Sequence, residues 1–141
     1  MSVEHILKCH VGIGQDVTGE ALVADDNFSA RYDLDRIAGV FSRPQHKLHG
    51  ESYVGKILVL NTAKGGVASA WMLFEMISRD KAPAAILFNS INPILAQGMA
   101  MANMAMCDRF EDGDITQIIK TGDQITVKPA RGEVVLRRDA N

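Results

Sequence analysis

Two stretches of the chain are unbroken apolar runs of strand length, KILVL at residues 56–60 and AAILF at residues 84–88. This is the pattern of strands buried on both faces. Between them, after the turn Asn61-Thr62-Ala63-Lys64-Gly65-Gly66, residues 67–78 carry apolar side chains at 67, 70, 71, 74 and 77, a helical spacing. Strand, helix and strand in this order predict a right-handed parallel βαβ unit. Asn92-Pro93 reads as an N-cap followed by proline at the first helical position, opening a helix to about residue 102. Residues 105–108 predict a third short parallel strand.

The flanks read as β. Residues 6–11 predict a strand, Gly12-Ile13-Gly14 a turn, and residues 17–23 a second strand with Thr18 and Glu20 on its polar side. Towards the other end the pattern gives a short helix at 114–119, a turn at Thr121-Gly122-Asp123, and strands 124–127 and 133–136 joined as a hairpin through 129–132. Residues 24–55 show no periodicity, with Asp25-Asp26-Asn27, Pro44 and scattered single charges. An irregular stretch of this length in a compact domain points to function; the plainer reading is a solvated loop. Trp71 and Phe74 fall on the apolar stripe of the first helix and are expected in the core. Met99, Met101, Met104 and Met106 read as adaptable core filler, with 99–106 also a candidate partner surface. The fold class is therefore α/β, one compact barrel-like β/β/α domain over 1–141, with a central βαβ unit and flanking β-hairpins.

Composition narrows the function classes. At 141 residues, 47% hydrophobic and 23% charged, the chain is an ordinary globular domain rather than a disordered or membrane-spanning one. A formal net charge of −2 supplies no surplus of cations for nucleic acid or an anionic membrane. Cys9 and Cys107 lie outside any CxxC or Cys/His spacing, which argues against a disulfide framework, a zinc site or a self-contained iron–sulfur site. The N-terminal segment lacks the basic-then-apolar order of a signal peptide, so a cytoplasmic protein is expected.

The segment Lys64-Gly65-Gly66-Val67-Ala68-Ser69 combines the carboxyl end of a buried strand with the start of a helix. Free backbone N–H groups and the helix dipole favour an anion there, glycine permits close approach, and Lys64 adds a formal charge. Ser69 is placed to donate to an anion or, deprotonated, to act as a base. The same residues also suit a tight turn in which Ser69 satisfies the backbone, and both readings stay open. Neither GxGxxG nor GxxxxGKS is present. The irregular stretch offers Ser29, Arg31, Tyr32, Asp33, Asp35, Arg36, Arg43, His46 and His49, where arginine suits forked carboxylate binding and histidine proton transfer. His5 and His10 have no partner in sequence and read as structural.

Several of these pieces occur in series: Gly19-Glu20-Ala21-Leu22-Val23, Ser29, His46 with Gly50-Glu51-Ser52, Gly55-Lys56-Ile57-Leu58-Val59-Leu60, Lys64-Gly65, Ala82-Pro83-Ala84-Ala85-Ile86, Gly98 and Thr121-Gly122-Asp123. In this order, over about residues 5–136, the chain resembles the small subunit of aconitase X, the swivelling-domain family. The resemblance implies a swivelling β/β/α domain that closes over the active site of a larger subunit carrying iron or an iron–sulfur cluster, with no cofactor bound by this chain. It implies a hydro-lyase that removes water from a small hydroxy acid or hydroxylated imino acid such as cis-3-hydroxy-L-proline, with mevalonate 5-phosphate as the alternative substrate. Lys64, Gly65 and Gly66 would form the anion-binding turn with Ser69, and Ser29, Arg31, Tyr32 and His46 would line the cleft. The family's loop after the central strand has a glycine and two serines, the first serine matching the catalytic base of the aconitase swivel domain. Gly66 and Val67 stand at those serine positions, so the base is not carried over; Ser69, three residues on, is the candidate for it, and the alternatives are a divergent substrate, a base supplied by the large subunit, or a non-catalytic swivelling module. A stand-alone anion-binding domain is the third alternative.

Overall fold

The computed structural model describes the backbone of residues 2–28, 33–63 and 67–139, and the side chains of residues 4–28, 33–63 and 71–138. In chain order the elements are β1 (Ser2–Lys8), β2 (Val17–Val23), β3 (Leu34–Asp35), β4 (Val40–Phe41), β5 (Ile57–Thr62), α1 (Val67–Ser78), β6 (Ala85–Ser90), α2 (Pro93–Met101), β7 (Ala105–Cys107), α3 (Ile115–Ile118), β8 (Gln124–Lys128) and β9 (Glu133–Asp139). The main sheet has the order β1-β9-β8-β2-β5-β6-β7. Strands β2, β5, β6 and β7 are mutually parallel, while β8 pairs antiparallel with both β2 and β9, and β9 antiparallel with β1.

Alternation along the parallel strands builds two cores. Leu58 and Leu60 of β5, Ile86 and Phe88 of β6 and Met106 of β7 meet Leu73 and Met76 of α1 and Leu95 and Met99 of α2. Their neighbours Ile57, Val59, Ala85, Leu87 and Cys107 point the other way, against Ile125, Val127 and Val134 of the antiparallel strands and Ile115 of α3. The parallel strands are thus covered on one side by helices and on the other by strands, a mixed β/β/α arrangement. Cover on both sides is why KILVL and AAILF contain no polar alternation.

A short strap after β1 joins the two ends of the sheet. Ile13 pairs antiparallel with Met106 of β7, each amide donating to the other's carbonyl at 2.9 Å. The Cys9 amide donates to the Gly132 carbonyl at 2.9 Å and the Gly12 amide to the Pro129 carbonyl at 2.8 Å. This closure gives the barrel-like character expected from the sequence. Gly14 has φ +88°, and a Cβ there would sit 2.7 Å from the Ala105 Cα, so the strap passes β7 only as glycine.

Two expectations need correction. The first strand is Ser2–Lys8 and not residues 6–11, because β9 runs on to Asp139 and supplies partners for residues 2–5, while Val11 is exposed. Trp71 and Phe74 are not core: they are 62% and 48% exposed, and Leu73 and Met76 are fully buried instead. Sequence VASAWMLFEMIS is apolar almost all round, so its periodicity does not set which face meets the sheet. Of the methionines, Met99, Met104 and Met106 are buried core filler, and Met101 alone of the four is exposed.

The irregular stretch is also not a solvated loop. Strands β3 and β4 form a small antiparallel pair, and Phe28, Leu34, Phe41, Leu48 and Tyr53 join the helix-side core. Its one buried histidine, His46, stacks on Phe41 with ring centroids 4.6 Å apart.

Candidate active site

In open parallel α/β sheets, ligands bind beyond the carboxyl ends of the strands. Here those ends carry a connected set of polar side chains. Asn61 follows the buried part of β5 and Asn89 that of β6, and the Asn89 amide donates to Asn61 Oδ1 at 3.0 Å and to Asp114 Oδ1 at 2.8 Å. Asn89 Oδ1 accepts from the Ile115 amide at 2.8 Å, so one side chain joins two strand ends to the start of α3. Asp108, just after β7, accepts from the Ile91 amide at 3.3 Å. Asp114 accepts from the Thr116 hydroxyl at 2.7 Å and from the Thr116 amide at 3.0 Å. The Thr116 hydroxyl and the Asn89 amide hold its carboxyl below the usual aspartate range.

Helix α2 opens at the same end. Asn92 Oδ1 accepts from the Leu95 amide at 2.8 Å, the N-cap expected from Asn92-Pro93, and its amide nitrogen lies 3.5 Å from the Ala63 carbonyl. Neither α1 nor α2 has an acidic residue in its first turn, so no carboxylate of their own offsets the positive ends of these helices.

The long irregular stretch reaches this end through Phe28, which forms a parallel bridge with Ala63, its amide donating to the Thr62 carbonyl at 2.9 Å. Beside it the Thr62 hydroxyl donates to Asn27 Oδ1 at 2.7 Å, and the Asn61 amide donates to the Asp26 carbonyl at 2.8 Å. Residue 28 and residue 63 are the last described positions before the two candidate segments, 29–32 and 64–66. Ser29, Arg31, Tyr32, Lys64, Gly65 and Gly66 lie outside the described residues. Ser69 lies in α1 by its backbone, close to the helix start, with its side chain outside the described set.

His46 is described in full. Its Nε2 lies 2.8 Å from the Asn27 carbonyl, and its Nδ1 accepts from the Leu48 amide at 3.0 Å. An acceptor at Nδ1 assigns the proton to Nε2, which donates to Asn27. With both nitrogens used inside the protein and the side chain fully buried, His46 positions the Asn27 turn rather than presenting a free nitrogen to a cleft. Asp26 and Asp33 flank it, each with Oδ2 3.9 Å from Nε2, and Arg43 lies 2.6 Å from Asp33 Oδ1. Burial would raise the Asp26 carboxyl, but the Asn27 and Lys47 amides outweigh it and hold the group low.

Sequence reasoning passed over Asn61 and Asn89. A signal for them exists, since both buried strands end alike, LVLNT and ILFNS, with asparagine where an apolar run stops. A separate polar groove of about 500 Å³ runs over Thr18, Thr126 and Arg137. Its arginines are already ion-paired, Arg137 with Glu4 and Arg138 with Asp123, and it contains none of the residues above. Among the described residues no group of three or more His, Cys, Asp or Glu is arranged to hold a metal ion. Also among them, no helix is long and apolar enough to cross a membrane.

Comparison with known proteins gives consistent matches along the chain. Residues 6–136 match the family model described as the aconitase X swivel domain. The phosphomevalonate dehydratase small subunit of Methanothrix thermoacetophila is 30% identical over 135 residues, covering 96% of each chain. That of Methanopyrus kandleri is 31% identical over 131 residues, covering 92% of this chain and 96% of its own. Among solved structures, the holo-form of aconitase X from Thermococcus kodakaraensis superposes with a TM-score of 0.86 at 26% identity, covering 94% of this chain and 98% of that one.

Proposed function

This chain belongs to the aconitase X swivel domain family, and on that premise we propose that it is the small subunit of a two-subunit dehydratase that eliminates water from a hydroxylated carboxylic acid. The observation that carries the proposal is similarity over nearly the full length of small subunits named for a dehydratase. The polar ends of β5, β6 and β7, beside the starts of α1 and α2, support it as a place where an anionic substrate would be received.

In this reading Lys64 and the backbone of Gly65 and Gly66 bind a carboxylate or phosphate of the substrate. Ser29, Arg31 and Tyr32 line the cleft, a role supported by the bridge that sets the preceding Phe28 beside Ala63. His46 holds the Asn27 turn that precedes them. Ser69, near the start of α1, removes the proton beside the substrate carboxylate, its alkoxide stabilised by the helix dipole and Lys64. The iron or iron–sulfur cluster belongs to the large subunit and, when bound there, supplies a Lewis acid for the departing hydroxyl.

The names of the relatives favour phosphomevalonate over cis-3-hydroxy-L-proline as substrate. Gly66 and Val67, where the family's loop carries serines, favour a second reading, a swivelling module that binds its partner without catalysing. The test is to purify the chain in complex with its large subunit and follow water loss from each acid. Turnover of phosphomevalonate is expected. Turnover of cis-3-hydroxy-L-proline alone would overturn the substrate assignment, and an intact iron-loaded complex inert to both would leave the non-catalytic module.

A further inference from the structure

Cys9 and Cys107 are 98 positions apart in the sequence, yet the fold brings their segments together. Cys9 begins the strap that follows β1, and the amide of the next residue, His10, donates to the Asp108 carbonyl at 3.2 Å. Further along, a Cβ added to Gly12 would meet Cys107 Sγ at 3.0 Å, so the strap lies directly on the Cys107 thiol. Cys9 packs against the same core cluster that contains Cys107, and the two side chains are near enough to influence each other. Both are free; Cys9 is half-buried and Cys107 fully buried.

From this geometry we propose that Cys9 and Cys107 form an oxidation site, in which a small hydroperoxide converts the pair to a reversible intramolecular disulfide that fastens the strap to β7. Nothing in the dehydratase reading uses either thiol. The surroundings divide the work between them. The neighbouring Cys107 side chain holds the Cys9 thiol below its ordinary value, against burial and the carboxylates Asp108, Glu111 and Glu133, while Cys9 and burial push Cys107 far up. Cys9 is therefore the thiolate that reacts and Cys107 the thiol that resolves.

In the first step the Cys9 thiolate attacks a peroxide oxygen: an S–O bond forms, the O–O bond breaks, and the departing oxygen takes up a proton to leave as water or an alcohol. Cys9 is now a sulfenic acid, and the peroxide has been reduced by two electrons. In the second step the Cys107 sulfur attacks the Cys9 sulfur, the S–S bond forms, and the S–O bond breaks. The hydroxide released combines with the Cys107 proton as water. The carboxylates around Cys9 disfavour an anionic oxidant such as glutathione disulfide and suit a neutral hydroperoxide.

The bond would close residues 9–107, about 70% of the chain, into one loop and so restrict the unfolded state. It would also fix the residue before Asp108, which holds the Ile91 amide at the carboxyl end of the sheet.

The test treats the reduced, full-length chain with hydrogen peroxide and, in parallel, with glutathione disulfide, then reads free thiols in denaturant, intact mass and Tm. With peroxide, both thiols are expected to disappear together, with a mass loss of about 2 Da, a rise in Tm, and full reversal by dithiothreitol. Glutathione disulfide should react roughly tenfold or more slowly. Cys107→Ser should stop at a Cys9 sulfenic acid that dimedone traps, and Cys9→Ser should leave Cys107 unreactive. Two thiols still titratable after the exposed Met101 has been oxidised would overturn the proposal, as would a disulfide formed only between chains.

Discussion

Phe28 and Ala63 lie side by side in a parallel bridge, the Phe28 amide donating to the Thr62 carbonyl at 2.9 Å. This contact sets side by side two stretches of chain that are far apart in sequence. Phe28 is fully buried, which anchors the bridge in the core. The hydrogen bond from the Thr62 hydroxyl to Asn27, at 2.7 Å, reinforces it.

Removing that hydroxyl tests whether the attachment matters. Thr62→Val is expected to cost about 1 kcal/mol in urea denaturation, the usual net worth of one hydrogen bond, with Asn27 Oδ1 losing its Thr62 donor. If the proposed role of Ser29, Arg31 and Tyr32 in the cleft holds, KM in the assembled enzyme should also rise severalfold, because the residue that precedes them is anchored by this contact. An unchanged KM alongside the stability loss would show that the bridge is structural only.

Helix α1 supplies a pair of contrasting substitutions. Trp71, 62% exposed and edge-on to Phe74 with centroids 6.5 Å apart, should tolerate alanine within about 0.5 kcal/mol. Leu73→Ala, at a fully buried position, should cost about 2–5 kcal/mol. Because Trp71 is the only tryptophan, the isolated chain should fluoresce like an indole in water. Blue-shifted emission, or a large loss on Trp71→Ala, would contradict the assigned helix face.

Asp123 should contribute to acid sensitivity, alongside Asp26 and Asp114, which are also held low. Burial opposes its ionisation, but Arg138 donates to both of its oxygens, at 2.9 and 2.6 Å, and the Lys120 amide adds a third bond at 2.8 Å. The net effect holds its pKa below the ordinary aspartate value, so the unfolded chain takes up the proton first as pH falls. The contribution of the pair is therefore complete above the unfolded value and lost as pH drops through the folded one. Asp123→Asn should lower stability by about 3 kcal/mol at neutral pH, by leaving Arg138 without its carboxylate. It should also flatten the acid limb of a stability–pH curve; an acid limb identical to that of the unaltered chain would refute the assignment.

Ser69→Ala addresses the chemistry. If Ser69 is the base, kcat in the assembled enzyme should fall roughly a hundredfold or more, with the complex intact and KM little changed. If turnover is unaffected, and Lys64→Ala and Arg31→Ala are also silent, this chain contributes no catalytic group and acts as a swivelling module.

Which parts of this molecule can be read from its sequence follows from where the deciding interactions lie. The bounds of β2 and α1 and the Asn92-Pro93 cap are local: alternation, helical spacing and a side-chain cap act within a few residues. The extent of β1 depends on how far β9 continues to Asp139, and no pattern in residues 6–11 carries that information. Trp71 and Phe74 were assignable to either face because α1 is apolar nearly all round, and sheet packing chose Leu73 and Met76. The Asn61–Asn89 contact and the meeting of Cys9 with Cys107 arise only when strands pair. The candidate residue types were legible in the sequence, whereas the pairing of Phe28 with Ala63 is a contact that the linear order hides.

The central claim is that this chain is half of a dehydratase, and complementation tests it most directly. Phosphomevalonate dehydration would be measured with the purified chain, with the iron-loaded large subunit, and with mixtures in which one is titrated against the other. The account predicts negligible rates for each part alone and activity that rises with added chain until the large subunit is saturated. Full activity from either part alone would contradict it.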